Sequence, residues 1–195
     1  MNIPNQLTLA RLVLTAIFVA VVSIHSLPER YSIGLVLFIL GALTDFLDGY
    51  IARKHNLITN FGKLMDPLAD KVLMCSAFVI LTRDALIPAW IVIAMLAREF
   101  LVTGLRLLAT SQGAVLAADS LGKLKTVLQI VTIIYLLMFI ASQETMFAWS
   151  AFLFEWKWTS PAIAGSAIIG VTAFVTVYSG MSYMVKNRGL LQDVS

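Results

Sequence analysis

The chain alternates long apolar runs with short polar breaks, and the runs define its elements. A helix of about 20 apolar residues is long enough to cross the hydrocarbon core of a bilayer. The pattern predicts six such helices, at about 7–25, 31–53, 65–82, 85–109, 121–141 and 161–185. Met1-Asn-Ile-Pro-Asn-Gln precedes the first and reads as a short interfacial segment. Most connections are brief: Leu27-Pro28-Glu29-Arg30 joins the first pair, and Thr82-Arg83-Asp84 joins the third helix to the fourth. The longest connection, about 142–160, holds Trp149, Trp156 and Trp158, which suits an aromatic belt at a membrane surface. There is no internal repeat, low-complexity stretch or shift in composition, so residues 1–195 read as a single membrane domain.

Composition turns this pattern into a fold class. Of 195 residues, 59% are hydrophobic and 13% charged, and the mean hydropathy is +0.89. Soluble domains are nearer half apolar and about a quarter charged. The expected fold is therefore an all-α integral membrane protein with six transmembrane helices. Met1 to Gln6 carries no basic side chain and Arg11 interrupts the first apolar run, so that run reads as a retained span and not a removed signal. Cys75 is the one cysteine, which excludes an internal disulfide and a cysteine-based metal site. The net charge of +3 lies in short loops and at helix ends, as in proteins resting against anionic lipid. No aromatic-basic stripe or nucleic-acid motif accompanies it, so no nucleic-acid partner is expected.

Charge also orients the chain. With the N-terminus cytoplasmic, the inner loops and tail hold Arg53, Lys54, Lys63, Lys123, Lys125, Lys186 and Arg188, whereas the outer loops hold Arg30, Arg83 and Lys157. The positive-inside rule selects this topology, a multi-pass protein of the inner (plasma) membrane. At about 1.5 Å per residue, polar groups of five helices then fall in one cytoplasmic layer. These are Arg11, Asp45, Asp48, Asp66, Asp70, Arg98, Glu99, Arg106, Lys123, Lys125 and Gln129. Their convergence predicts a polar cavity open to the cytosol.

Four acids carry the candidate chemistry. Asp45 and Asp48 are spaced i,i+3 on one predicted helix, and Asp66 and Asp70 are spaced i,i+4 on the next. Each pair projects from one helical face. A carboxylate in hydrocarbon costs at least a few kcal/mol, so four in apolar segments imply a task. Two facing pairs of hard oxygen donors suit one or two divalent cations such as Mg²⁺ or Mn²⁺. A rival reading pairs these acids with Arg53, Lys63 and Lys71 as buried ion pairs, and predicts neither metal nor activity.

The arrangement Asp45-x2-Asp48-Gly49-x2-Ala52-Arg53-x8-Gly62-x3-Asp66-x3-Asp70 resembles the signature of the CDP-alcohol phosphotransferases, integral membrane enzymes of phospholipid synthesis. Asn2-Ile-Pro-Asn5-Gln-Leu-Thr8-Leu-Ala-Arg11 and Gly122-Lys123-Leu-Lys125-Thr126-Val-Leu-Gln129 are similar to segments of the phosphatidylglycerophosphate synthase branch, and Arg98-Glu99 fits it too. The resemblance implies attack of an acceptor alcohol on the β-phosphate of CDP-diacylglycerol, with release of CMP. It implies Asp45, Asp48 and Asp66 as the main metal ligands, and Asp70 as general base and further ligand. It places Gly49, Ala52 and Gly62 against the nucleotide, with Arg53 gripping the pyrophosphate bidentately. Asn5 and Thr8 have two readings, nucleotide or phosphate contact on one hand and a helix cap on the other.

An acceptor such as sn-glycerol 3-phosphate brings its own phosphate, which needs cations outside the metal site. Arg106, Lys123 and Lys125 are the candidates, with Arg98 and Arg11 in the same layer. Glu99, Thr103 and Arg106 share a helical face, so Glu99 is expected to orient Arg106, while Arg98 and Glu99 face different directions. Cardiolipin synthases and phosphatidylinositol phosphate synthases share the aspartate motif and are the nearest rivals. A divalent-cation transporter is the rival from another class; such sites usually sit near the midplane within repeats, which this chain lacks. The family resemblance also implies a homodimer. Ser166-x3-Gly170 offers a small-residue packing stripe, usable within one chain or between two.

Overall fold

A computed structural model of the chain describes the backbone of residues 3–55, 60–111 and 120–188, with side chains in those ranges except at 3–5, 45–55, 60–67, 70 and 111. Among the described residues six α-helices carry the fold: α1 (Ile3–Ser23), α2 (Arg30–His55), α3 (Asn60–Arg83), α4 (Ala89–Ser111), α5 (Ser120–Ala141) and α6 (Ser166–Lys186). Every apolar run has become a helix, and the described residues contain no strand. The boundaries move where prolines sit. Pro4 falls in the first turn of α1, where a missing N–H and a fixed φ are tolerated. The helix therefore absorbs most of the segment expected to precede it. α3 begins at Asn60 and runs through Pro67, giving up one backbone hydrogen bond there. α4 starts after Pro88 and not at 85.

The turn from α3 to α4 explains that last shift. The Ala85 N–H donates to the Thr82 carbonyl and the Leu86 N–H to the Leu81 carbonyl, both at 3.0 Å. This is the paired closure of a Schellman motif. Ala85 takes its left-handed position with φ 58°, where glycine is the usual occupant. The connection after α5 is not open coil either. It winds into 3-10 turns at Ala148–Phe154 and Lys157–Thr159, and a π turn at Pro161–Gly165 feeds α6.

α1 packs on α2 and α3, α4 packs on α6, and α5 touches α2, α3 and α6. α5 is thus the shared wall of the bundle. Phe18, Phe38, Phe78, Met95, Leu136 and Leu137 are buried in one continuous core. Between helices in lipid, close van der Waals fit replaces the hydrophobic drive. Gly34 shows this, since a Cβ there would lie 2.5 Å from Val22 Cγ2. The outward faces stay apolar, with Val13, Ile17, Ile93, Phe174 and Val185 exposed. Three helical stretches, Gln6–Ser23, Ser120–Ala141 and Pro161–Lys186, are long and apolar enough to cross a membrane. The protein is membrane-embedded. Gly170 has no neighbour within 4 Å of where a Cβ would sit, so the Ser166-x3-Gly170 stripe does not pack against this chain's own bundle.

One end of the bundle gathers the 24–29, 84–88 and 142–160 connections. Glu144 accepts from the Tyr31 N–H at 3.0 Å, the Ser32 N–H at 2.7 Å and the Ser32 hydroxyl at 2.6 Å, closing the N-terminus of α2. The Tyr31 hydroxyl donates to Asp84 Oδ2 at 2.9 Å, and Arg83 Nε donates to Asp84 Oδ1 at 2.9 Å. Glu29 accepts from the Thr145 hydroxyl and from the Met146 N–H. Trp90, Trp149, Trp156 and Trp158 all lie at this end and are exposed, so the aromatic belt includes the start of α4 as well as the long connection.

Candidate active site

At the opposite end, α4 and the start of α5 build a basic cavity. The α4 positions Arg98, Glu99, Val102, Thr103 and Arg106 recur at three- and four-residue intervals and form one stripe. They meet Gly122, Lys123, Lys125 and Thr126 from the first two turns of α5, and Lys71 from α3. Together these groups line a cavity of about 380 Å³, within the size range of small-molecule sites. Among the described residues its wall carries five basic side chains and one carboxylate, Glu99. No acid occupies the first turn of α5. A cation in the first turn of a helix opposes the macrodipole, so Lys123 stands where helix stability alone would not put it.

The cations are held in two ways. Glu99 Oε1 accepts from Lys125 Nζ, from Arg98 Nη1 at 3.2 Å and from Gln129 Nε2 at 3.5 Å. Arg98 is buried, and its Nη2 donates to Ser179 Oγ at 2.9 Å. Gln129 Nε2 also reaches Thr176 Oγ1 at 3.4 Å, while Thr132 and Thr172 hydroxyls lie 2.8 Å apart one turn further along. Arg106 is held differently. Its Nε donates to the Tyr183 hydroxyl at 3.3 Å, and its guanidinium lies 5.3 Å from the centre of the Tyr183 ring. Arg106 and Lys123 are exposed.

Two expectations change accordingly. Glu99 does not orient Arg106, because Tyr183 of α6 takes that guanidinium. Nor do Arg98 and Glu99 point apart, since the long arginine stem bends back to its neighbour's carboxylate. Of the five cations expected at an acceptor phosphate, Arg98, Arg106, Lys123 and Lys125 share the cavity. Arg11 is not in its lining. It is fully buried with Thr8 and Thr15 on the face of α1 that packs against the bundle. The α6 contribution from Thr172, Thr176, Ser179 and Tyr183 was overlooked in the sequence, although a polar stripe at helical spacing in an apolar helix was there to be read. Lys71 was assigned to the aspartates and lines the cavity as well.

The aspartate segment is described by backbone only. α2 is helical through Asp45 and Asp48, and α3 is helical through Asp66 and Asp70. The i,i+3 and i,i+4 spacings therefore place each pair on one helix face. The side chains of Asp45, Asp48, Asp66 and Asp70 lie outside the described residues, as do those of Asn5, Ala52 and Arg53 and the surroundings of Gly49 and Gly62. Lys71, next to Asp70, connects this segment to the basic cavity.

Comparison with known proteins identifies the family. The CDP-alcohol phosphatidyltransferase family model matches residues 1–160. The CDP-diacylglycerol–glycerol-3-phosphate 3-phosphatidyltransferase of Bacillus subtilis strain 168 is 42% identical over 197 residues, covering 95% of each chain. The protein of the same name from Rickettsia typhi is 38% identical, covering 93% of this chain and 94% of its own. That from Salmonella typhimurium strain LT2 is 33% identical, covering 98% of both. With the family model spanning both the aspartate segment and the basic cavity, the chain belongs to the CDP-alcohol phosphatidyltransferase family.

Proposed function

We propose that this protein transfers the phosphatidyl group of CDP-diacylglycerol to sn-glycerol 3-phosphate, giving phosphatidylglycerophosphate and CMP. The observation that carries the choice of acceptor is the meeting of Arg98, Arg106, Lys123 and Lys125 in one cavity beside Lys71. A phosphate monoester needs cations of its own, apart from those that neutralise the pyrophosphate of the donor. The relatives named for this activity support the same acceptor.

The donor set fits a divalent metal. Four carboxylates on two helical segments offer hard oxygen ligands of the kind Mg²⁺ and Mn²⁺ prefer. Asp45, Asp48, Asp66 and Asp70 would hold such a cation, which would supply charge neutralisation for the phosphoryl transfer. The chain does the rest. Arg53 grips the pyrophosphate, while Gly49, Ala52 and Gly62 leave room for the nucleotide, with Asn5 and Thr8 beside it. The cationic wall holds the acceptor phosphate and so aims the free hydroxyl. As that oxygen attacks the β-phosphorus, Asp70 takes its proton, the bond to the bridging oxygen breaks, and CMP leaves.

The proposal includes six membrane spans. α2, α3 and α4 have 26, 24 and 23 residues, long enough to cross at about 1.5 Å per residue. The N-terminus and the site face the cytosol, a reading supported by the loop charges and by the solubility of the acceptor and of CMP. CMP release by purified protein, assayed separately with glycerol 3-phosphate, phosphatidylglycerol and inositol phosphate, tests the reading. Release with glycerol 3-phosphate alone supports it, and release only with another acceptor replaces the acceptor but keeps the aspartate chemistry. Silence with all three, together with cation flux in liposomes, returns the protein to the transporter class.

A further inference from the structure

Among the described side chains, Glu99 is the one acid in a cationic wall. A carboxylate beside a site for an anion weakens binding by its charge, so it needs a reason to be there. The geometry supplies one. A single oxygen, Oε1, gathers Lys125 and Gln129 from α5 and Arg98 from α4. The far side of Arg98 is fixed by α6, where its Nη2 meets Ser179. α6 also makes way for the arginine stem, since a Cβ on Gly180 would lie 2.4 Å from Arg98 Cγ. Three helices are thereby tied at one point of the cavity wall.

We propose that Glu99 is a positioning residue for the acceptor site: it holds Lys125 and Arg98 in the wall while Arg106 and Lys123 make the direct contact with the acceptor's phosphate. The division follows from the contacts. Lys125 and Arg98 spend donors on Glu99, and both are largely buried, with side-chain exposures of 11% and 9%. Arg106 and Lys123 are exposed, and neither bonds to Glu99 among the described contacts. Without the acid, Lys125 regains the rotamer freedom of a long stem, which binding must then remove. Arg98 and Lys125 also lose the charge that lets two cations sit close together. This inference rests on the glycerol 3-phosphate reading.

The test is a kinetic cycle on Glu99→Gln, Lys125→Gln and the double variant, in the full-length protein in detergent or liposomes. The expected result for Glu99→Gln is a KM for glycerol 3-phosphate raised about tenfold, the scale of one charge-assisted hydrogen bond. The KM for CDP-diacylglycerol and kcat should stay within about twofold, a split that general loss of structure would not produce. The double variant should lose clearly less than the product of the two single effects, because part of the Glu99 effect runs through that lysine and only the Arg98 part remains. Thermal unfolding of each variant shows whether it is folded, and a variant that fails to fold is replaced by Glu99→Asp, for which the same split is expected. An unchanged KM for glycerol 3-phosphate overturns the proposal, as do effects that multiply in the double variant. A KM that falls would show Glu99 acting only as a charge opposed to the anion, and also overturns it. Wild-type protein that turns over some other acceptor and not glycerol 3-phosphate overturns the parent reading instead.

Discussion

The two ends of the bundle use acids in opposite ways. At the connection end, Glu29, Glu144 and Asp84 each take two or more local donors, from backbone N–H groups, hydroxyls and Arg83. These carboxylates close helix ends and tie connections together, and they leave little unspent charge. At the other end, among the described side chains, Lys71, Arg98, Arg106, Lys123 and Lys125 gather around Glu99. Bringing cations together inside a bundle in lipid is costly unless they serve a site. Local satisfaction marks structure, and excess charge facing a cavity marks a ligand.

The comparison is broken most directly at the aspartates. Asp70→Asn and Asp66→Ala should each lower CMP release by at least about a hundredfold, the usual scale for losing a general base or its equivalent in charge. Near wild-type turnover in membranes would refute the mechanism. The next largest effect belongs to the cationic wall. Arg106→Ala or Lys123→Ala should raise the KM for glycerol 3-phosphate by roughly ten- to a hundredfold, as expected for a lost hydrogen bond to a charged group. The KM for CDP-diacylglycerol should change little. Arg11→Met sharpens the contrast, since Arg11 lies outside the cavity lining: any loss there should not single out glycerol 3-phosphate.

Much of this was legible in the sequence, because hydropathy in a bilayer is a strict constraint. All six helices stand where the apolar runs put them, and the basic residues of helices four and five do share a cavity. Boundaries were less legible at prolines. Pro67 looks like a helix start, yet α3 extends back to Asn60, and Pro4 was absorbed into α1. The partner of Arg106 was missed because it is Tyr183, 77 positions away. Spacing within one helix suggested Glu99, but long side chains answer to the neighbouring helix as much as to their own. Glu144 was invisible for the same reason, as the Tyr31 N–H it accepts from lies 113 residues earlier in the chain.

Glu144 gives the matching test at the connection end. Glu144→Ala strips three hydrogen bonds from the start of α2, where Ser32 is fully buried. Leaving buried donors unpaired should cost about 1–3 kcal/mol, read as a lower unfolding temperature. The kinetic constants of the folded protein should not move. A raised KM for glycerol 3-phosphate would erase the distinction between the two ends.

The smallest effect concerns Glu29, in the connection between α1 and α2. Its pKa lies below the ordinary value of 4.5, chiefly because the Thr145 hydroxyl donates to the carboxylate, with the Met146 N–H adding to it. A carboxyl whose pKa is depressed by folding favours the folded state wherever it is ionised. That contribution is fully present above pH 4.5 and fades as pH falls through the lower folded value. Thr145→Val removes the main donor, so the Glu29 pKa should rise toward its ordinary value, as read by carbon-13 NMR titration of the side chain. The acid-side loss of stability should shrink with it, while turnover near neutral pH stays the same. Glu29 is exposed to solvent screening, so the change in stability should be slight. A shift in the Glu29 pKa with no change in catalysis is what an acid spent on structure predicts. Altered turnover at neutral pH would mean that charge at the connection end reaches the site, and that the two ends are not independent.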